Sequence, residues 1–308
     1  MRILVTGGSG FGGSGLVHAL LERGHEVTVL DIIAPLEADK LADVIDHPNL
    51  TYKWKAIHDI KPSDIEDQDI VIHLQAQADV PMGFPSPYWT AHQNVMGTVA
   101  LLEACRQVEL DRVIFAGSGN EWGRPVYVPI DENHPLTPHN PYAWSKAAAE
   151  LAFWAWQRCY HIPVVVMSNG VVIGPHMRRE IFIFKWLWAI AHNHPLRLEG
   201  SGQTRDITYV TDVIDAWVLA IESPRDKVIG HKFQVSFGEE HSVQEILNWC
   251  FEITGITVSV MQAPYRPGEE GQREYFTNKK ARDVLGYNPK VGPKQSIALT
   301  WEWIKSLI

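Results

Sequence analysis

The spacing of apolar and polar positions changes three times within the first 31 residues. Residues 2–6 are a short apolar run that breaks into a glycine-rich turn over residues 7–13. Apolar residues then recur at helical spacing over residues 16–21, and a second apolar run over residues 26–31 ends in an acid. Short apolar runs bounded by turn residues are typical of buried strands, whereas recurrence three and four positions apart is typical of a helix. The pattern therefore predicts strand, glycine turn, helix and strand.

The same alternation continues to about residue 174. Further strands are predicted at 50–54, 69–74, 112–116 and 162–167, and helices at 94–108 and 141–160. Pro81, Pro85 and Pro87 predict that no helix forms in their loop, because proline removes a helical hydrogen bond and clashes with the preceding turn. Strands that alternate with helices predict an α/β fold with a doubly wound parallel sheet.

The pattern of predicted elements changes after Gly174-Pro175. Predicted strands become short there, at residues 206–210, 232–235 and 257–261, and the loops are rich in glycine and charge. We therefore expect residues 1–174 to form the first domain and residues 175–308 to form a smaller α+β substrate lobe at the C-terminal side. Some segments of that lobe are expected to return to the first domain.

The glycine turn has the spacing of a dinucleotide-binding motif. Gly7 permits the tight turn, Gly10 lets the backbone approach a pyrophosphate, and Gly13 lets the helix pack closely on the strand. The N-terminus of the helix offers free N–H groups and a positive dipole end to phosphates. Asp31 is placed to accept hydrogen bonds from an adenosine ribose, which favours NAD over NADP. The first domain is therefore predicted to be a Rossmann-type NAD-binding domain.

Composition narrows the classes of partner. The net charge of −9 is spread over both halves, which argues against nucleic acid or an anionic membrane as the main partner. The three cysteines are widely spaced without a C-x-x-C pair, so neither a disulfide framework nor a metal site is predicted. The chain opens directly into a strand, so no signal peptide is expected. The most apolar later segment, residues 181–191, is too short to span a bilayer. These features predict a soluble, cytoplasmic protein.

Tyr142 and Lys146 are four positions apart on one predicted helix and therefore share a face. The reference pKa of a tyrosine hydroxyl, about 10, is too high for a base at neutral pH. A nearby ammonium group and a positive nicotinamide ring would both favour the phenolate and lower that pKa. Ser118, which follows the fifth strand, could hold a substrate hydroxyl against Tyr142. These three residues are therefore candidates for removing a proton from an alcohol that NAD oxidises.

A series of motifs runs along nearly the whole chain in the order typical of one enzyme family. They are Thr6-Gly7-x-x-Gly10-x-x-Gly13, Asp31, Val71-Ile72-His73-Leu74, Asn94-Val95-x-Gly97-Thr98, Ser118 with Trp122-Gly123, Pro141-Tyr142-x-x-x-Lys146, Gly174-Pro175, Gly200-x-Gly202-x-x-Arg205-Asp206, Tyr209-Val210-x-Asp212-Val213, Arg266-Pro267-Gly268-Glu269 and Ala281-x-x-x-Leu285-Gly286-Tyr287-x-Pro289. In these motifs the chain resembles the extended short-chain dehydrogenase/reductases, and among them the NAD-dependent nucleotide-sugar epimerases and dehydratases, such as UDP-glucose/UDP-galactose 4-epimerases.

The resemblance implies a tightly bound NAD, a nucleotide-diphosphate sugar as substrate, and Ser118, Tyr142 and Lys146 as the catalytic set. The residues implied to bind NAD are Gly7, Gly10, Phe11, Gly13, Asp31, Asp59, Ile60, Leu74, Gln75, Ala76, Asn94, Tyr142 and Lys146. The residues implied to bind the substrate are Ser118, Asn120, Asn169, Val171, Leu198, Arg205, Arg266 and Glu269. The two arginines match those that grip the diphosphate, for which bidentate guanidinium–phosphate pairing gives a physical reason.

The resemblance also implies a homodimer. The helices predicted at residues 94–108 and 142–160 would pack across subunits. Trp154 and Trp156 are candidates for that contact.

The chain departs from the 4-epimerase pattern at several positions. UDP-galactose 4-epimerases usually have a second serine at the position of Gly117 and tyrosine at the position of Trp122. Val171 stands where they have a substrate-binding asparagine, which leaves Asn169 as a candidate substitute. Gln75 replaces a small residue close to the cofactor. These departures leave the identity of the sugar open.

Neighbouring reactions in the family require acids close to Ser118. A 4,6-dehydratase has an acid pair directly after this residue, where Gly119 and Asn120 stand here, and a UDP-glucuronate decarboxylase has glutamate in place of Asn120. Glu121 lies one residue later. The leading hypothesis is therefore an NAD-dependent nucleotide-sugar 4-epimerase, with a UDP-sugar favoured. The alternatives are a 4,6-dehydratase, decarboxylase or 4-ketoreductase on a similar substrate, and, in another class, a non-catalytic NAD- or sugar-nucleotide-binding protein.

Overall fold

The computed structural model describes residues 1–308, which form thirteen strands and eleven α-helices. The strands are β1 (Arg2–Thr6), β2 (Glu26–Asp31), β3 (Leu50–Trp54), β4 (Ile70–His73), β5 (Arg112–Ser118), β6 (Val164–Asn169), β7 (Val171–Ile173), β8 (Leu196–Glu199), β9 (Thr204–Arg205), β10 (Ile207–Tyr209), β11 (His231–Val235), β12 (His241–Ser242) and β13 (Val260–Ala263). The helices are α1 (Phe11–Glu22), α2 (Val80–Gly83), α3 (Pro87–Ala91), α4 (Gly97–Cys105), α5 (Pro141–Tyr160), α6 (Phe182–Ala191), α7 (Val210–Glu222), α8 (Arg225–Val228), α9 (Val243–Thr254), α10 (Lys279–Leu285) and α11 (Pro293–Lys305).

Seven parallel strands make the central sheet, in the order β11-β6-β5-β4-β1-β2-β3. The order reverses between β1 and β4, which is the switch point where α/β sheets bind ligands beyond the strand ends. Helices α1 and α7 pack on one face of the sheet, and α4 and α5 pack on the other. One apolar cluster lies between the sheet and each of these helix pairs. The Rossmann-type doubly wound fold predicted from the sequence is confirmed.

The C-terminal half combines helices with short strand pairs. The pairs are β7 with β10, β8 with β13, and β9 with β12. Helices α6, α9 and α11 surround a separate apolar cluster beside them. Strand β11 leaves this half and pairs with β6 in the central sheet, as expected for a segment that returns. The domain boundary at residue 174 stays a prediction.

Several element bounds differ from the sequence prediction. The helix predicted from residue 94 begins at Gly97, because residues 92–96 form a π-helical turn that continues from α3. The prediction that prolines exclude helices from this loop was wrong, since α2 and α3 both form. Pro81 and Pro87 occupy the first turn of these helices, where the missing N–H has no helical partner to lose.

Two strands of the C-terminal half are also shifted. Strand β10 ends at Tyr209 because Val210 already begins α7, and β13 begins three residues later and ends two residues later than predicted. None of the helices has the length and apolar content needed to cross a lipid bilayer.

The glycine turn between β1 and α1 has the geometry that its spacing predicts. Gly7 has φ +71°, and a Cβ atom there would lie 2.8 Å from the backbone nitrogen of Gln75. A Cβ atom on Gly13 would lie 2.2 Å from the carbonyl oxygen of Gly7. A side chain on Gly7 would clash with the loop after β4, and one on Gly13 would push α1 away from the turn, so both glycines are required.

Candidate active site

A cavity of about 680 Å³ opens at the carboxyl end of the central sheet. Its walls come from the ends of β4, β5 and β6, the first turns of α1 and α5, and segments of the C-terminal half. The predicted site residues that line it are Phe11, Leu74, Ala76, Ser118, Asn120, Tyr142, Lys146, Asn169, Val171, Arg205, Arg266 and Glu269. The fold therefore brings the three catalytic candidates and both arginines into one space.

The start of α5 fixes the tyrosine and the lysine. Asn140 caps the helix, with its Oδ1 accepting the backbone N–H of Ala143 at 2.8 Å, and Pro141 occupies the first helical position. Tyr142 therefore lies in the first turn and Lys146 one turn later. Ser118 ends β5, and its Oγ accepts the backbone N–H of Asn120 at 3.3 Å. All three side chains are buried.

Burial dominates the proton affinity of Tyr142. Desolvation raises the pKa of this tyrosine above its usual range, because the phenolate loses hydration. Its hydrogen bond with Ser118 and the charge of Arg178 lower the pKa again, while Glu121 raises it. The sequence predicts that the Lys146 ammonium is the charge that lowers this pKa. In the structure the cation that acts on Tyr142 is Arg178, which the sequence analysis did not identify.

Lys146 lies in the cavity wall, with its side chain against the ring of Phe115. Its Nζ lies 4.2 Å from the centre of the Phe115 ring. Burial lowers the pKa of Lys146 to about 8, while the carboxylates of Glu121 and Glu150 oppose that change. The charge of this lysine therefore depends on two acids that lie outside the cavity.

The N-terminus of α1 fits a dinucleotide. Phe11 and Gly12, in its first turn, line the cavity, so the free N–H groups of the helix face it. The carboxylate of Asp31 lies at the end of β2 and accepts the backbone N–H groups of Ser9 at 3.0 Å and Ile33 at 3.1 Å. These bonds fix the acid beside the glycine turn, where the sequence predicts a ribose contact.

Several predicted cofactor residues lie outside the main cavity. These are Gly7, Gly10, Gly13, Asp31, Asp59, Ile60, Gln75 and Asn94. Asn94 is buried, and its side chain bonds the backbone of Gln77 at 2.6 and 2.9 Å and the Oγ of Ser145 at 2.8 Å. It therefore ties the loop after β4 to α5. Ile60 belongs to the apolar cluster under α4 and α5.

Leu198 does not reach the cavity. It is fully buried in the apolar cluster of the C-terminal half, among α6, α9 and α11. Its neighbours Leu196, Arg197 and Glu199 line the wall instead. The substrate contact expected of Leu198 is corrected accordingly, because its side chain serves the core.

Acidic side chains contact Arg205 and Arg266, the two arginines that the resemblance assigns to the diphosphate. Arg266 contacts Glu269 at 2.9 Å and Glu199 at 3.1 Å. Arg205 is nearly buried, with its Nε 3.6 Å from Glu274 and its Nη2 3.9 Å from Glu269. Glu269 therefore contacts both guanidinium groups. Arginine geometry suits phosphate oxygens, and these acids fix the guanidinium planes in place.

The loop after Ser118 carries no acid pair, and position 119 has no room for an acidic side chain. A Cβ atom on Gly119 would lie 2.7 Å from Cζ of Phe276 and 3.2 Å from the carbonyl oxygen of Asn169. Asn120 lines the cavity but is no acid. Glu121 is fully buried and absent from the cavity wall, and its Oε1 accepts the backbone N–H of Ser118 at 2.8 Å.

Asn169 is the candidate substitute for the substrate-binding asparagine that the resemblance places at position 171. Its Oδ1 accepts the indole N–H of Trp217 at 3.3 Å, and both side chains line the cavity. Trp217 therefore fixes the orientation of the Asn169 side chain.

Several residues of the cavity wall are not predicted from the sequence. They include Arg178, Lys185, Trp186, Trp217 and Glu274. Arg178 follows the Gly174-Pro175 motif closely, and a charged pair at the start of an apolar stretch was the one available signal. The others lie in helices and loops whose spacing resembles that of ordinary core or surface positions.

Comparison with known proteins gives a consistent set of matches. A profile of the NAD dependent epimerase/dehydratase family matches residues 3–236. The UDP-glucose 4-epimerase of Mycolicibacterium smegmatis is 31% identical over 318 residues, covering 99% of this chain and 99% of that protein. The dTDP-D-glucose 4,6-dehydratase of Homo sapiens is 29% identical over 329 residues, covering 99% and 90%.

A solved structure matches the whole fold. It is the UDP-glucuronic acid 4-epimerase from Bacillus cereus, in complex with UDP-glucuronic acid and NAD. The two chains superimpose with a TM-score of 0.94 at 27% identity and cover each other fully.

Proposed function

Because this chain belongs to the NAD-dependent epimerase/dehydratase family, we propose that it is a nucleotide-sugar 4-epimerase that acts on a UDP-sugar. The observation that carries the proposal is the loop after Ser118. The cavity is lined by a complete Ser118, Tyr142 and Lys146 set, and the glycine at position 119 of this loop leaves no room for an acid there. Epimerisation at C4 needs the catalytic set alone, whereas 4,6-dehydration also needs acids beside it.

The catalytic residues act on the C4 hydroxyl of the sugar. Ser118 and Tyr142 bind this hydroxyl between them, and the Tyr142 phenolate accepts its proton. Arg178 favours the phenolate through its charge. NAD, when bound, supplies the oxidation and re-reduction of C4. The 4-keto sugar turns over in the cavity before C4 is reduced on its opposite face, and Tyr142 then returns the proton to the oxygen of the epimer.

Arg205 and Arg266 bind the diphosphate. Their guanidinium groups lie in one wall of the cavity with Glu269 between them. A diphosphate offers each arginine paired oxygens, and such charge-assisted bonds are about twice as strong as neutral ones. The sugar then points from this wall toward Tyr142. The relatives include enzymes named for UDP-sugars and others named for dTDP-sugars. The test of the proposal therefore compares substrates with different nucleotide bases.

The proposal is tested by turnover of a sugar-nucleotide panel. Purified protein with NAD is incubated with UDP-, GDP-, CDP- and dTDP-sugars, and NMR identifies the products. We expect a C4 epimer of unchanged mass from a UDP-sugar. Loss of water or carbon dioxide from the product would instead identify a dehydratase or a decarboxylase.

A tyrosine variant tests the mechanism. Tyr142→Phe should lose turnover by several orders of magnitude while it still binds NAD, because the base is removed and the fold is kept. Tyr160→Phe, at the exposed end of the same helix, is the matched control and should retain turnover. Full activity in Tyr142→Phe would rule out this mechanism. Binding without turnover of any sugar in the unaltered protein would favour the non-catalytic alternative.

We also propose that the protein forms a homodimer through the face of α3 and α5. Tyr88 on α3 is 83% exposed, and Trp144 and Leu151 on α5 are 51% and 58% exposed. Neighbouring exposed aromatic and aliphatic side chains favour a protein contact. Trp154 and Trp156 are less suited to it, because their indoles donate to Glu150 and Glu103 of the same chain at 3.0 Å. Light scattering that gives a monomer mass would contradict this part. In addition, we propose that the protein is cytoplasmic, as the sequence predicts.

A further inference from the structure

Three ionisable side chains meet behind the catalytic loop, outside the cavity. Lys232 on β11 places its Nζ 2.7 Å from Oε2 of Glu150 and 3.4 Å from Oε2 of Glu121. Glu150 belongs to α5 and Glu121 to the turn after β5. Each of the three is at least nine-tenths buried. We call these residues the buried triad.

The buried triad is linked to two members of the catalytic set, Ser118 and Lys146. Glu121 accepts the backbone N–H of Ser118 at 2.8 Å, so it fixes the strand end that carries this serine. Glu150 lies one helical turn after Lys146 on α5. Both acids act on the lysine, since their charges favour its protonated form.

The charges of the buried triad do not balance when both acids are ionised. Two carboxylates would face one ammonium group, and burial of an unpaired charge is costly. Lys232 lies close to Glu150 and keeps the pKa of that acid low. Burial and the neighbouring Glu150 raise the pKa of Glu121 well above its usual value. Glu121 is therefore the acid of the triad that binds a proton more readily.

We propose that Glu121, held by Glu150 and Lys232, is a positioning residue that orients Ser118 and sets the charge of Lys146. This inference rests on the proposed roles of Ser118 and Lys146. An ionised Glu121 stabilises the ammonium of Lys146, and a neutral Glu121 releases that support. The buried triad thereby controls how far toward alkaline pH the lysine keeps its proton.

The surroundings contain few other charges that could produce the same effect. Glu121 faces Lys232 on β11 and the α5 residues Tyr142, Lys146 and Glu150. Lys146 also faces His73 on β4, whose ring is hydrogen-bonded and neutral. No additional acid contributes to the pKa of Lys146.

The decisive variant is Glu121→Gln. The amide oxygen can still accept the Ser118 N–H, but the side chain carries no charge. Heteronuclear NMR of side-chain-labelled lysine, assigned with Lys146→Arg, follows the titration of Lys146 without turnover. We expect the pKa of Lys146 to fall by about one unit, the size expected for removing a nearby opposite charge. The alkaline limb of kcat/KM should move to lower pH by the same amount.

A second pair of variants separates orientation from charge. Glu121→Leu removes the acceptor of the Ser118 N–H as well, so kcat should fall at least about tenfold further than in Glu121→Gln. Lys232→Met removes the cation that favours ionised Glu121 and Glu150, so these acids should become neutral more readily and the pKa of Lys146 should fall. Glu132→Gln is the control, because Glu132 bonds the backbone N–H of Gln234 on β11 at 2.9 Å and lies outside the triad. Its Lys146 titration should be unchanged.

The outcomes distinguish this inference from the proposed function. If Lys146 titrates at the same pH in Glu121→Gln and in the unaltered protein, the inference is overturned even when epimerisation is observed. If Lys146 shifts as expected while no sugar nucleotide is turned over, the electrostatic link stands and the proposed function fails. A change in melting temperature with an unchanged lysine titration would show that the triad is only structural.

Discussion

Gly117 and Ser168 occupy complementary space on the neighbouring strands β5 and β6. A Cβ atom on Gly117 would lie 2.4 Å from Oγ of Ser168, which is buried and has no hydrogen-bond partner. The serine therefore fills the volume that a side chain at position 117 would take. In this chain the glycine at position 117 therefore makes room for the Ser168 side chain.

Adding a methyl group at position 117 should therefore destabilise the protein. Gly117→Ala should lower the free energy of unfolding by about 1–3 kcal/mol, as overpacking in a core does. The double variant Gly117→Ala/Ser168→Ala should recover most of this loss, because it removes the clashing hydroxyl. Denaturant unfolding measures both, with Ser168→Ala as the control. Equal loss in the single and double variants would show that the two positions are not coupled.

Arg178 should set the acid limb of the pH profile. Its positive charge lowers the pKa of Tyr142, so Arg178→Leu should raise that pKa, and the active phenolate should form only at higher pH. We expect the acid limb of kcat/KM to move upward by about one pH unit. Arg179→Leu, which alters the exposed neighbour, is the matched control. An unmoved acid limb would mean that another group activates the tyrosine.

Arg266 should contribute to substrate affinity more than to the chemical step. Arg266→Leu removes a group that we assign to the diphosphate and leaves Tyr142 and Lys146 in place. A charge-assisted hydrogen bond contributes about 1.5–3 kcal/mol, so KM should rise roughly tenfold to a hundredfold with a much smaller change in kcat. Steady-state kinetics test this, and Arg197→Leu on the same wall is the comparison. A selective loss of kcat would place Arg266 at the reacting sugar instead.

His73 should make the protein sensitive to acid. Its ring is buried between the hydroxyls of Thr6 at 2.8 Å and Thr98 at 3.0 Å, and burial lowers its pKa to about 3. The unfolded chain binds a proton at this residue below about pH 6.5 while the folded chain does not, so stability falls as pH drops from 6.5 toward 3.

The slope from this one residue is about 1.4 kcal/mol per pH unit. His73→Gln should lower stability at neutral pH but flatten its decline between pH 6 and 4 relative to the unaltered protein. Unfolding curves at several pH values test this, with exposed His194→Gln as the control. Parallel declines in all three proteins would contradict the assignment.

The sequence predicted the parts of the fold and site that depend on local pattern. Apolar runs located the strands of the central sheet, and the spacing of Gly7, Gly10 and Gly13 identified the turn. The pair Tyr142 and Lys146 could be found because one helical turn separates them. These features are encoded within a few residues, so a single chain suffices to recognise them.

Other features depend on segments that are distant in sequence. Lys232 is the one lysine of β11, and no residue near it in the sequence indicates that Glu121 and Glu150 surround it. Leu198 alternates with exposed residues like any strand position, and only packing shows that it serves the core. The π-helical turn before Gly97 likewise depends on how α3 and α4 join. Tertiary contacts decide all of these.

The placement of β11 affects how the protein is made. Strand β6 is apolar and buried on both sides, and its partner on one edge is β11, which follows it only after a long stretch of the C-terminal half. While the chain is being synthesised, β6 therefore presents an open edge until residues 231–235 have emerged. Unpaired apolar edges are sites of aggregation. Chaperone protection of the nascent chain is thus most needed between the appearance of these two strands.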